Sequence, residues 1–465
     1  MRSLRKQRII LFLLLSLILA ACGGSDTTEE ETVDTTAAPA ESLDAPSVTT
    51  AQAIKTGVGV TEEPCPASYN VGGTDVPTGA SPDQGCIYLG LLNDYTGPYA
   101  AAAGALELSQ RAFWLWANST GGIGDYSVVI IDGKDTGYSP AKHLEAYNEI
   151  KDDVAALAMS LGTVQTQFIL DQMDKDNMVA APMSWYSGWG YKSFDKGLVA
   201  EFGSSYCTDG MNALDWGLEN LPVPIKTIGI VGYAGDYGDD YAAGVRKAAI
   251  ANGINVAWSY VPPIAEFDVA ATVGLMLTQP VDALFSAAAL SAGPQIMGGY
   301  YQQTGSLPFI FNAAPAYNDA FIAEGFPLRD LYLSGAVYNM AWVGPFETDS
   351  PAHAAMRATW GNFSDSASSY VVAGWSSQYH VKGVLEAAVK GGDLTRAGIR
   401  RAASNVTVTS DGMMTPRELG QDGPDPESTI TAPDASVGSG SATIKANYVG
   451  PTAAAYDWVG EGPCS

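Results

Sequence analysis

Basic residues are scarce in this chain. Only 24 Lys and Arg stand against 50 Asp and Glu, a formal net charge of -26. So acidic a surface repels phosphate backbones and anionic headgroups, which argues against nucleic acid as a partner and against electrostatic attachment to a membrane. Histidine is rarer still, with His143, His353 and His380 alone. No cysteine spacing resembles a zinc site, so no metal is expected. The apolar run Ile9–Leu19 falls short of the about 20 residues that a membrane-crossing helix needs. Catalytic signatures are missing as well. Gly374-Trp375-Ser376-Ser377-Gln378 departs from the nucleophile-elbow pattern at its last position and lies in a helical pattern, and Gly438-Ser439-Gly440 follows no buried strand. There is no Walker-type loop, and no glycine fingerprint with an acid about 20 residues on. The acidic pairs Asp152-Asp153 and Asp239-Asp240 read as solvated faces. Neither catalysis nor a cofactor is expected.

What the chain does have begins at its start. Arg2, Arg5, Lys6 and Arg8 precede the apolar run, which ends in Leu19-Ala20-Ala21-Cys22. A basic start, a short apolar core and small residues before a cut mark a secretory signal over residues 1–21. The cysteine after that cut resembles the lipobox of bacterial lipoproteins, which implies that Cys22 carries a diacylglyceryl anchor as the mature N-terminus. Loss of residues 1–21 would take the net charge from -26 to -30. Residues 22–64 are Thr, Ser, Ala, Pro, Asp and Glu with few large apolar side chains. They cannot bury enough surface to offset their ordering entropy and are expected to form a disordered leash. A flexible coil of about 40 residues reaches on the order of 35 Å.

Once Cys22 is lipidated, Cys65, Cys86, Cys207 and Cys464 remain. An even count outside the cytoplasm suggests two disulfides, with three possible connectivities. Cys65–Cys86 with Cys207–Cys464 is the favoured pairing, because the first bridge would staple the arriving linker to the start of the folded body.

From about Cys86 the chain alternates strand-like and helical patterns. The expected series is strand Ile87–Leu92, helix Gly104–Asn118, strand Ser127–Asp132, helix Pro140–Asp153, strand Ala155–Met159, helix Gln165–Met173 and strand Met178–Ala181. It resumes with Thr227–Gly232, Asp239–Asn252, Val256–Tyr260, Val269–Thr278, Ala283–Ala288, Ser291–Gln303 and Pro308–Asn312. Strands alternating with helices predict an α/β fold with two doubly wound parallel-sheet lobes. Ligands of such sheets bind outside the carboxyl ends of the strands. After Leu331–Val337 come longer helices, Ser350–Trp360, Ala373–Lys390 and Leu394–Ala403. Late strands are expected at Ala442–Tyr448 and Ala453–Trp458. The lobes would comprise residues 86–204 with 338–410, and 205–337 with 411–465.

Several short motifs in order resemble the type I periplasmic binding proteins that serve ABC transporters, nearest the leucine/isoleucine/valine-binding group. They are Asp94-Tyr95-Thr96-Gly97-Pro98, Gly121-Gly122-Ile123, Asp132 to Pro140, Ser160-Leu161-Gly162-Thr163, Ala181-Pro182-Met183-Ser184 and Asp236-Tyr237-Gly238. The resemblance implies two lobes joined by a hinge, closing on a small-molecule solute. It further implies a monomer outside the cytoplasm that docks on a membrane permease. A sensory receptor or a structural surface lipoprotein would share the anchor and leash.

Candidate solute contacts follow from chemistry as well as from the resemblance. Thr163 and Val164 would lie at a helix N-terminus, where free N–H groups and the dipole favour a carboxylate. Ser184 and Trp185 follow the fourth strand, and Tyr237 would face them from the second lobe. Tyr95 and Tyr99 flank the Thr-Gly-Pro turn. Aromatic rings offer large apolar contact at low entropic cost. One departure from the family is informative. Its amino-acid binders carry an acid after the strand matching Phe309–Asn312, whereas this chain has Ala313-Ala314-Pro315 there and Ala287-Ala288-Ala289 at the neighbouring strand end. Either Asp209 or Asp236 holds an ammonium instead, or the solute is an amide, a urea-like compound or a small organic acid.

Overall fold

The computed structural model describes residues 53–465 apart from Asp236 and Asp365. The secretory signal, Cys22, most of the expected leash and Asp236 therefore lie outside the described residues. Residues 53–64, expected to belong to the leash, are folded instead. Lys55–Thr56 pairs in parallel with Asp393–Leu394, and Val60–Thr61 pairs antiparallel with Cys86–Ile87. Composition under-reads such a segment, because two short ladders and the buried Val60 tie it to existing edges. A hairpin of Ser68–Val71 with Thr74–Pro77 follows. Both favoured disulfides form, Cys65–Cys86 and Cys207–Cys464, with Cα atoms 4.8 Å and 6.1 Å apart.

The first sheet is built from β1 (Gly85–Asn93), β2 (Tyr126–Ile130), β3 (Ala156–Leu161) and β4 (Ala180–Met183), parallel in the order β2-β1-β3-β4. The connections are α1 (Ala100–Ser119), α2 (Pro140–Ile150) and α3 (Thr163–Asp176). Side chains alternate between two cores, as a strand buried on both faces requires. Ala156 and Ala158 of β3 join one core and Leu157 joins the other.

The chain then crosses through α4 (Tyr206–Asn220) into a second sheet. It holds β5 (Thr227–Val231), β6 (Asn255–Tyr260), β7 (Ala283–Ser286), β8 (Phe309–Asn312) and β9 (Val337–Ala341), with α5 (Tyr237–Asn252), α6 (Val269–Thr278) and α7 (Gly293–Thr304) between them. These five strands are parallel in the order β6-β5-β7-β8-β9. In register, Val231, Ser286, Asn312 and Asn339 lie side by side, so the carboxyl ends of the central strands form one rim. From β9 the chain returns to the first sheet through α8 (Pro351–Trp360), α9 (Ser369–Lys390) and α10 (Arg396–Ala403), and α9 packs along α1. Two antiparallel strands, β10 (Ser428–Pro433) and β11 (Ser441–Tyr448), complete the second sheet.

The structure departs from or adds to the reading of the sequence at four places. Leu331–Val337, where the expected alternation breaks off, spans the end of a short helix, Arg329–Tyr332, and the start of β9, with Gly335 turning between them at a φ of 82°. The strand expected at Ala453–Trp458 is instead a helix at Pro451–Ala455 and another at Trp458–Glu461. Pro451 suits the first helical position, and the Thr452 N–H is held by the Asp215 carboxylate. Helix α4 was not anticipated, although Ser205 caps it by accepting from the Thr208 N–H. Asp240, read as half of a solvated pair, is fully buried. It accepts hydrogen bonds from Ser187 N–H (2.8 Å), Ser187 Oγ (2.6 Å) and Cys207 N–H (3.1 Å).

Candidate solute-binding cleft

The carboxyl ends of the two sheets and the segments that join them line a narrow cleft. From the first sheet it receives Tyr99 after β1, Tyr138 after β2, Leu161 and Gly162 at the end of β3, and Met183 and Trp185 at the end of β4. From the second come Tyr237 at the start of α5, Pro315 after β8 and Trp342 after β9. Tyr206, Tyr370 and Ala373 enter from the first turns of α4 and α9. The ends of α/β strands are the expected ligand position.

Local chemistry sets each ring. Asp94 is buried and accepts from Gly97 N–H (2.6 Å) and Tyr99 N–H (2.8 Å), which fixes the turn ahead of α1. Burial raises the Asp94 carboxyl above the ordinary aspartate range, against the opposite pull of those N–H groups. Tyr138 has a φ of 55°, an uncommon conformation for an aromatic residue, and such strain collects at functional sites. Its carbonyl accepts from Gln165 Nε2 at 2.8 Å. The Trp185 and Trp342 rings stack with centroids 3.8 Å apart and planes 9° from parallel. Tyr99 meets Tyr237 across the cleft at 6.4 Å, so rings anchored on the two sheets touch.

Polar groups are few and pointed. Gly162, with a φ of 98°, stands at the N-cap of α3, and no side chain caps that helix. A side chain would be strained at this φ, and a Cβ there would collide with Gln165 Oε1. The uncapped first turn presents backbone N–H groups and the positive dipole end of a 14-residue helix. Beside it, Thr163 Oγ1 is buried with no hydrogen-bond partner among the described residues, and so is Trp185 Nε1. Among the described residues, the lining contains no Asp, Glu, Lys or Arg.

Of the expected contacts, the structure thus brings Tyr99, Trp185 and Tyr237 to the lining, with Thr163 and Val164 on the turn behind Gly162. Ser184 is turned into the protein, where its Oγ accepts from Trp189 Nε1 at 3.0 Å. Tyr95 is elsewhere. Its hydroxyl donates to Glu107 Oε2 (2.5 Å), and it lines a larger groove, about 1380 Å³, beside the hairpin of residues 68–77. The buried charges of that groove are already matched, since Glu107 pairs with Arg111 at 2.8 Å. Asp209 is buried between Ser204 Oγ (2.6 Å) and Ser428 Oγ (2.7 Å) and does not line the cleft. Tyr138, Tyr206, Trp342 and Tyr370 were missed by the reading of the sequence. Each follows a strand end or opens a helix, and that position was the available signal.

A family model described as periplasmic binding protein matches residues 86–430. The chain belongs to that family. Periplasmic binding proteins are extracytoplasmic solute receptors, and the two α/β lobes of this one have the type I arrangement. Solved structures with the same fold include a fatty acid ABC transporter substrate-binding protein from Thermomonospora curvata. It is 22% identical, with a TM-score of 0.75 over 87% of this chain and 97% of that one. A branched chain amino acid ABC transporter structure from Thermus thermophilus with bound valine is 13% identical, with a TM-score of 0.66 over 80% and 98%. A solute binding protein from R. palustris in complex with 4-hydroxybenzoate is 14% identical, with a TM-score of 0.63 over 78% and 98%. No curated protein matches the sequence.

Proposed function

We propose that this periplasmic binding protein captures an organic carboxylate with an apolar body and delivers it to an ABC importer. The observation that carries the proposal is an aromatic cleft built around the uncapped N-terminus of α3, with the unpartnered Thr163 Oγ1 beside it. An anion is the natural occupant of such a helix end. The rings of Tyr99, Trp185, Tyr237 and Trp342 would hold the apolar part. Nothing in the described lining could neutralise an ammonium, whose burial without a partner costs several kcal/mol. That disfavours a simple α-amino acid. Two proteins of the same fold fit the same chemistry, one named for fatty acids and one holding 4-hydroxybenzoate. Closure of the lobes would complete the site, because each side supplies only part of it, and a bound solute would shift the population to the shut form. A lipid anchor at Cys22 belongs to this proposal and rests on the sequence of residues 2–22.

The test is a tryptophan-fluorescence titration with paired compounds of one apolar body, carrying a carboxylate or its primary amide. The carboxylate should bind the wild type more tightly, and Thr163→Val should weaken it by about tenfold or more, the worth of one hydrogen bond to a charged group. Equal affinity for acid and amide, unchanged by Thr163→Val, would refute the assignment.

A further inference from the structure

A second, narrow cavity lies beside the cleft at the hinge, where residues 339–346 leave the second sheet. Trp342 lines both spaces, and three neighbouring pairs divide between them. Ala314 faces the hinge cavity and Pro315 the cleft; Ser369 and Val372 face the former, Tyr370 and Ala373 the latter. The two spaces therefore share a wall, with Trp342 as its common member. That indole stacks on Trp185, so a rotation of its ring would join the spaces at this point.

Part of the hinge-cavity wall is polar. Asn339 lines it and is 2% exposed, and its Nδ2 finds no acceptor among the described residues, although its Oδ1 accepts from Asn312 Nδ2 at 2.9 Å. A buried amide donor left without an acceptor is costly and needs an explanation. The Ser439 and Ser441 side chains, which share this wall, are already committed to Glu347 and Asp319. Asn339 alone among these three keeps a donor to offer.

We infer that the hinge cavity is an annex of the solute site, admitting the distal end of an extended carboxylate past Trp342. Asn339 Nδ2 donates to an oxygen at that end, so the favoured class is a straight-chain acid bearing a terminal hydroxyl or carbonyl. The inference rests on the carboxylate reading of the cleft and deepens it from a head-group preference to a length and end-group preference.

The full chain, purified in detergent, is titrated calorimetrically with straight-chain carboxylates from butanoate to dodecanoate, each with and without a terminal hydroxyl. Affinity should climb by about fourfold for each methylene that enters the annex, and the hydroxyl should be preferred only in the longer acids. Val372→Phe and Ala314→Leu, which fill the annex from opposite walls, should each weaken the long acids by about tenfold or more while leaving the short ones unchanged. Asn339→Leu should abolish the hydroxyl preference alone. Affinity that is flat with length in the wild type overturns the annex and leaves the cleft assignment standing, and so does equal weakening of long and short acids by both filling variants. Failure of every acid to bind overturns the carboxylate reading, and the annex with it.

Discussion

At the scale of single residues, the buried carboxyls carry the clearest pH signature. Burial pushes Asp209 up to about 7 from the ordinary 3.8, more strongly than the Ser204 and Ser428 hydroxyls pull it down. Between those two values the folded state holds a proton that the unfolded chain has released. Wild-type stability from this group is thus present below about 4 and lost as pH rises to about 7. Asp209→Asn keeps an Oδ1 for both serines and cannot ionise. Its melting temperature should therefore gain on that of the wild type as pH is raised from about 4 to about 8. Scanning calorimetry across that range checks it, and a constant difference would remove the titration of Asp209 from the account. The same residue marks a limit of reading the sequence. Asp209 was a candidate for holding an ammonium, but its place between two serines depends on β10, more than two hundred residues away in the chain.

At the scale of elements, the junction of α1 and α9 supports the cleft from behind. Gly374 of α9 lies against the α1 backbone so closely that a Cβ would sit 2.5 Å from the Leu106 carbonyl oxygen. Ser109 Oγ donates to Val371 O (2.5 Å), and Trp114 Nε1 donates to Gln378 Oε1 (2.9 Å), which fixes the two helices in register. Gly374→Val should cost about 1–3 kcal/mol by overpacking, measured by urea denaturation. A loss within error would show that the helices can part freely. Ser376 and Ser377, the residues that brought this segment into the search for a nucleophile, are buried and donate to Ala373 O and Gly374 O. Most βα units were legible because their apolar periods switch cleanly and their lengths are ordinary. Helix α4 was missed because glycine and acidic residues interrupt its apolar stripe. Its buried acids, Asp209 and Asp215, are satisfied by partners distant in the chain. The cleft was half legible for a related reason. Tyr237 stands in a motif and Tyr99 and Trp185 directly follow one, whereas Tyr206, Trp342 and Tyr370 reach the site through the crossings of the chain between lobes, which local pattern does not encode.

At the scale of the whole molecule, a cleft that shuts on a solute aids import only near its transporter. The anchor proposed at Cys22 would supply that nearness, and Cys22→Ser should move the protein from the membrane fraction to the soluble extracytoplasmic fraction, read by immunoblot of fractionated cells. Retention of the variant in the membrane would assign the attachment to something else. The C-terminal segment is tied in by Cys207–Cys464, and its end is held by Tyr186, whose hydroxyl donates to Ser465 O at 2.7 Å. Closing so long a loop is worth roughly 5 kcal/mol in the chain-entropy model. The central claim, however, concerns the proposed solute: a carboxylate at the α3 N-terminus, an apolar body among the rings and, among the described lining residues, no acid to pair an ammonium. Leucine and 4-methylpentanoate differ only by that ammonium. Calorimetric titration of the full chain should find 4-methylpentanoate bound about a hundredfold more tightly than leucine, as an unpaired buried cation requires. Leucine bound as tightly as 4-methylpentanoate, or more so, would contradict the account.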